Sequence, residues 1–121
     1  MADNSRWKDI FLHLKSKGYE VYPPGNKDGE CLKPYIVVKD AGTTKVTGIS
    51  SSLALFDVMV YMPYNRYSEL EEYVRKVEED MDELFPMIRP AHFKTASFYD
   101  ESVKGYMESI QYQNYQKNTR P

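Results

Sequence analysis

The side chains best suited to chemistry in this chain are His13, His92, Cys31 and Asp57, the last set inside an apolar run. Nucleophilic catalysis requires a Ser or Cys beside a His base that a carboxylate orients. His13 falls in a helical stretch, His92 in a late strand and Cys31 in a loop, so their spacing assembles no such set. A structural zinc site takes about four Cys or His ligands, and the chain offers three, widely scattered. No Asp or Glu stands two residues before a Lys, which removes one common nuclease pattern. Gly25-Asn26-Lys27-Asp28-Gly29 lacks the spaced glycines and the Lys-Ser or Lys-Thr pair of a phosphate-binding loop. Glu72, Glu79, Asp80, Asp82 and Glu83 spread round the outer face of one helical stretch, and such carboxylates are ordinarily solvated. The chemistry therefore points away from an enzyme: no catalytic residue, cofactor site or metal site is expected.

The bulk properties bound what remains. At 121 residues, the span 1–121 is expected to be a single domain, large enough to build a core without staples. Lys and Arg number 16 against 18 for Asp and Glu, a net charge of −2. A protein whose main task is coating nucleic acid needs clustered cations to neutralise phosphates, so this balance argues against that class. A lone cysteine forms no internal disulfide, which suits a reducing compartment. No basic-then-apolar leader is visible, and the longest apolar run, near Val58 and Met62, falls far short of the roughly 20 residues of a membrane span. The compositional excess is tyrosine, 11 residues against five Phe and one Trp. Tyrosine suits both the half-exposed face of a sheet and a protein interface.

These residues need elements to position them. Trp7, Ile10, Phe11 and Leu14 share one face at helical period, with Asn4 or Ser5 as cap and Gly18 where a left-handed stop belongs. His13 lies off that stripe and reads as solvated. A short alternating run over 19–22 stops at Pro23-Pro24-Gly25. Tyr35-Ile36-Val37-Val38 reads as a central strand. The Thr-, Ser- and Gly-rich stretch 43–52 is either an edge strand or a mobile loop. Over 53–62, Leu53, Leu55, Met59 and Tyr61 alternate with Ala54, Phe56, Val58, Val60 and Met62. Asp57 interrupts that strand and must meet solvent, a partner or a base such as Lys39. Ser68 and Glu71 have capping-box spacing ahead of a helix striped with Leu70, Tyr73, Val74, Val77, Met81 and Leu84. Two strands close the chain, over 91–99 and 104–115, with a turn at Asp100-Glu101-Ser102. On the second, Tyr106, Glu108, Ile110, Tyr112 and Asn114 share one face. The order of elements predicts an α+β fold: two helices packed on one face of a mostly antiparallel four- to five-stranded sheet.

Several stretches together carry a likeness. They are Trp7-Lys8-Asp9-Ile10-Phe11, Tyr22-Pro23-Pro24-Gly25, and Phe56-Asp57-Val58-Met59-Val60-Tyr61-Met62-Pro63 ahead of Tyr67-Ser68-Glu69-Leu70. Phe85-Pro86-Met87-Ile88-Arg89-Pro90 and Ser109-Ile110-Gln111-Tyr112-Gln113-Asn114-Tyr115 complete the set. From Trp7 to about Lys117 the chain resembles small proteins of the tail-completion modules of Gram-positive phages and prophages. The resemblance implies a tail terminator, or a closely related head–tail joining protein, of a long-tailed phage. Such proteins form rings, commonly hexameric, that cap the growing tail tube and let a head dock. The implied partners are copies of itself, the tail tube protein and a head-completion or connector protein, with no membrane. DNA would pass through the ring without specific binding. The implied location is the virion tail or neck, after synthesis in the bacterial host cytoplasm. The family has no catalytic residues to carry over.

A ring contact joins two unlike patches. The expected contributors are Lys45 and Val46 in the 43–52 stretch, Tyr64, Arg66 and Tyr67 before the second helix, and Tyr106, Tyr112 and Tyr115 on the last strand. The alternative is a small single-stranded nucleic-acid-binding α+β domain that uses the tyrosine-bearing strand as a stacking platform. Its cationic half is thin, because Glu108, Gln111, Gln113 and Asn114 are the neighbours of those tyrosines.

Overall fold

Apolar period decides the two helices. In the computed structural model, which describes residues 5–46 and 51–117, helix α1 (Ser5–Ser16) buries Ile10 and Leu14 completely and packs Trp7 and Phe11 against the same core. Its end is a Schellman turn: Gly18, at φ 95°, lets its own N–H reach the Lys15 carbonyl while the Tyr19 N–H reaches that of Leu14. Of the expected N-caps, Asn4 and the Ser5 side chain lie outside the described residues.

Six strands follow. Strand β1 (Val21–Tyr22) runs parallel to β2 (Tyr35–Val46), which pairs antiparallel with β3 (Ser51–Pro63). Strand β6 (Gly105–Lys117) lies antiparallel to β3 along its length, and β4 (Arg89–Lys94) and β5 (Phe98–Asp100) both pair with β6. The fold is α+β, with helix α2 (Leu70–Met81) joining α1 on one face of the sheet.

The strand count exceeds the expected four to five because the stretch 91–99 is not one strand. It starts earlier, at Arg89, and then bulges: Pro90 faces Tyr112 and Lys94 faces Ile110, leaving Ala91, His92 and Phe93 opposite the single residue Gln111. His92 turns the chain at φ 60°, a region a non-glycine residue rarely adopts. The Thr95 hydroxyl then accepts the Ser109 N–H at 2.9 Å, taking a bond that a continuous strand would have made, and β5 begins afresh at Phe98.

Alternation along β3 sorts its side chains as the sequence indicates. Ala54, Phe56, Val58, Val60 and Met62 are buried beneath the helices, beside Ile36 and Val38 of β2 and Ile110 and Tyr112 of β6. Leu70, Val74, Val77 and Met81 of α2 close this core. Each fully buried aliphatic side chain stabilises the fold by roughly 1.5–3 kcal/mol.

Two expectations change, and one left open between two alternatives is decided. Ser68 does not cap α2. The chain enters that helix through a 3-10 turn (Tyr64–Glu69), Glu69 already has helical backbone angles, and no side chain bonds the first turn. His13 is not solvated. Its Nε2 lies 2.7 Å from the Asp80 carbonyl and ties α1 to the end of α2. The Tyr19 hydroxyl donates to the Asp80 carboxylate at 2.5 Å in the same place. Finally, the 43–52 stretch is strand wherever it is described: 43–46 continue β2 and 51–52 open β3, with Thr43 opposite Ala54. A bulge at Asp40/Gly42 permits this, Asp40 accepting the Gly42 N–H at 2.9 Å while Gly42 sits at φ 101°.

Candidate functional site

The residues expected to meet partners divide by position. Arg66 and the two tyrosines flanking it lie on the 3-10 turn that leads into α2. Tyr64 and Tyr67 are 62% and 51% exposed, on either side of a break in the turn where Arg66 leaves helical angles at φ −128° and ψ 30°. Arg66 is held by a two-pronged bond to Glu69, Nε to Oε2 at 3.1 Å and an outer nitrogen to Oε1 at 2.7 Å. That guanidinium keeps the Glu69 carboxyl below the usual carboxylate range.

Tyr106 joins this group from the start of β6. Its ring centroid lies 4.4 Å from that of Tyr67 and 5.4 Å from that of Tyr99 on β5. Tyr67 also bonds the Ser97 hydroxyl at 3.2 Å. A cleft of about 390 Å³ runs beneath, lined by Tyr67, Ser68, Leu70, Glu71, Lys94, Ser97 and Glu108. Lys94 lies 3.5 Å from Glu78 and 3.8 Å from Glu108 there. Burial pushes the Glu108 carboxyl above its ordinary value despite that cation. The result is an aromatic platform with an acidic floor.

Tyr112 belongs elsewhere. It is 2% exposed, packed in the core opposite Phe56, and presents nothing to a partner. Its hydroxyl is raised above the ordinary phenol value by that burial. Tyr115 is exposed near the far end of β6, opposite Leu53. Lys45 and Val46 end β2, paired through their backbones with Ser52 and Ser51; their side chains lie outside the described residues. Among the described side chains Tyr67 and Tyr106 come together, while Tyr112 lies in the core and Tyr115 stands apart near the far end of β6.

A second surface was not visible in the sequence. Past the C-terminal end of α2, Asp82, Phe85, Arg89, Pro90, His92 and Gln113 line a cleft of about 530 Å³. Phe85 and Phe93 are both exposed at this end. The Arg89 guanidinium lies 5.3 Å from the Phe85 ring centroid, and its Nε donates to the Pro86 carbonyl at 3.3 Å. Arg89 makes no ion pair among the described residues, and neither do Glu71 and Glu72 at the other end of α2. The sequence shows only that Phe85 directly precedes Pro86 where the α2 stripe ends, which does not by itself leave the ring exposed.

Among the described residues no group of three His, Cys, Asp or Glu gathers as a metal site would require. Cys31 is buried, and that burial pushes its thiol up to about 11, which leaves it a poor nucleophile. Among the described residues no helix is long and apolar enough to cross a membrane. No protein-family model matches the chain, and no curated protein is significantly similar to it.

Proposed function

We propose that this protein is a ring-forming virion assembly protein of the tail-terminator kind, one that caps a phage tail tube and joins it to the head. The sequence likeness running from Trp7 to about Lys117 motivates the reading. The observation that carries it is the placement of exposed aromatic surface: Tyr64, Tyr67 and Tyr99 at one end of α2, Phe85 and Phe93 at the other. Exposed aromatics gathered in patches mark protein contacts. Two unlike patches on opposite ends of one small domain are what a head-to-tail ring requires. A slightly acidic chain also suits a bore that passes DNA without gripping it.

The nucleic-acid reading draws on the stacked Tyr67, Tyr106 and Tyr99 rings. Stacking platforms for single strands work with a basic groove, and the cleft beside these rings sets one cation, Lys94, against two acids, Glu71 and Glu108. Electron microscopy of the purified protein, alone and mixed with tail tubes, tests the assembly reading. Rings, and tubes that stop growing when the protein is added, are expected. Tubes that elongate unchanged, or tight salt-sensitive binding of single-stranded oligonucleotides, would sink it.

A further inference from the structure

We propose that the two ends of α2 are the two halves of one subunit contact: the platform of one copy seats in the Phe85–Arg89–Pro90–His92 cleft of the next. The inference rests on the assembly reading above and assigns its contact. The occupant is a second copy of this chain, and three observations select it.

The first is position. The 3-10 turn bearing Tyr64 and Tyr67 immediately precedes α2, and Asp82 immediately follows it. Twelve helical residues hold the two surfaces roughly 18 Å apart. A contact between opposite ends of a rigid element cannot be satisfied within one molecule, so it needs a second copy, and repeated head to tail it gives a ring where the rotation closes.

The second is shape and chemistry. Tyr64 is the more exposed of the two platform tyrosines, and no hydrogen bond or ring contact restrains it among the described residues. The cleft offers an aromatic face, a proline and a guanidinium already stacked on a ring. That combination accepts a phenol, with Arg89 and Gln113 available to its hydroxyl.

The third is charge. Among the described residues Arg89 and Asp82 of the cleft make no ion pair, nor do Glu71 and Glu72 beside the platform, so the contact sets Arg89, with Asp82 turned aside, against those two acids. Seating one surface in the other brings these opposite charges together, which fixes register and disfavours a symmetric platform-to-platform contact.

Charge reversal with rescue tests the pairing, read by mass photometry and analytical ultracentrifugation of the full chain, alone and with tail tubes. Arg89→Glu alone and Glu71→Arg/Glu72→Arg alone are expected to leave monomers with unchanged circular dichroism. All three changes in one chain are expected to restore rings, because each contact then regains opposite charges. Tyr64→Ala is expected to weaken self-association about 30-fold, the effect of a central anchor residue. Rings that form equally well in every single-surface variant would overturn this contact and leave the assembly reading standing. Monomers under all conditions, tubes included, would overturn both. Loss of both single variants without rescue in the combined chain would also overturn the direct pairing of these charges.

Discussion

The two faces of the sheet are built from the same strands and differ in what covers them. On the helix side, Phe56, Val58, Val60 and Met62 of β3 are buried against Ile10, Leu14, Val74 and Val77. On the reverse side, Leu53, Leu55, Asp57, Met59 and Tyr61 remain half-buried. Only one end of that reverse face gains cover among the described residues. There Tyr35 stacks on Tyr61 with ring centroids 4.6 Å apart, Lys27 lies over Tyr35, and Cys31 of the same loop is buried beside Gly105. In the middle, Asp57 lies opposite Lys39 and Gln111, and Gln111 donates to it at 3.4 Å. An aspartate tolerated inside a strand marks the side that water reaches. Strand alternation therefore separates two sets of residues, and the helices decide which set becomes the core.

The sharpest way to break this comparison is to remove a large side chain from each face. Phe56→Ala should cost about 3–5 kcal/mol through lost burial and the cavity left behind. Met59→Ala, three residues along and on the reverse face, should cost less than about 1 kcal/mol. Urea denaturation with unchanged slopes checks the pair, and equal losses would show that the reverse face is as well covered as the helix face.

Gly105→Ala probes the covered end of the reverse face. A Cβ there would stand 2.8 Å from the Met62 carbonyl oxygen and 2.9 Å from the Cys31 Cβ. The carbonyl belongs to a strand and cannot give way cheaply, so a loss of about 1–3 kcal/mol is expected. A thermal melt that does not move would show that the 23–34 loop is loosely held against β6.

The smallest effect concerns Glu108, on the helix side but at its margin. Its folded-state pKa is raised above the ordinary 4.5, first by burial, with Lys94 opposing and Glu78 and Glu71 adding to the rise. A raised carboxylate favours the fold below the unfolded pKa, and that favour is lost as pH rises through the folded value. Glu108→Gln should therefore be slightly more stable than the parent at about pH 7 and equal to it below about pH 4. Denaturation midpoints at the two pH values provide the check. A destabilised glutamine variant at neutral pH would mean that the Lys94 pair outweighs desolvation.

Periodicity alone determined the helix stripes, the Gly18 stop and the sorting of β3 and β6 into two sets, since each depends on spacing within a few turns of chain. The α+β architecture followed from the order of those elements. Contacts between segments distant in sequence decided the rest. Sequence could not separate Tyr112 from Tyr64: tyrosine suits a core and a surface equally, and only the docking of α2 over β6 buries one and leaves the other out. The same holds for His13, whose partner Asp80 lies 67 residues away, and for the stretch 91–99, whose break shows only against β6. Phe85 and Arg89 likewise become a surface only where the chain leaves α2 and turns into the sheet. Local spacing fixes which residues point the same way; tertiary packing fixes which of those directions is covered.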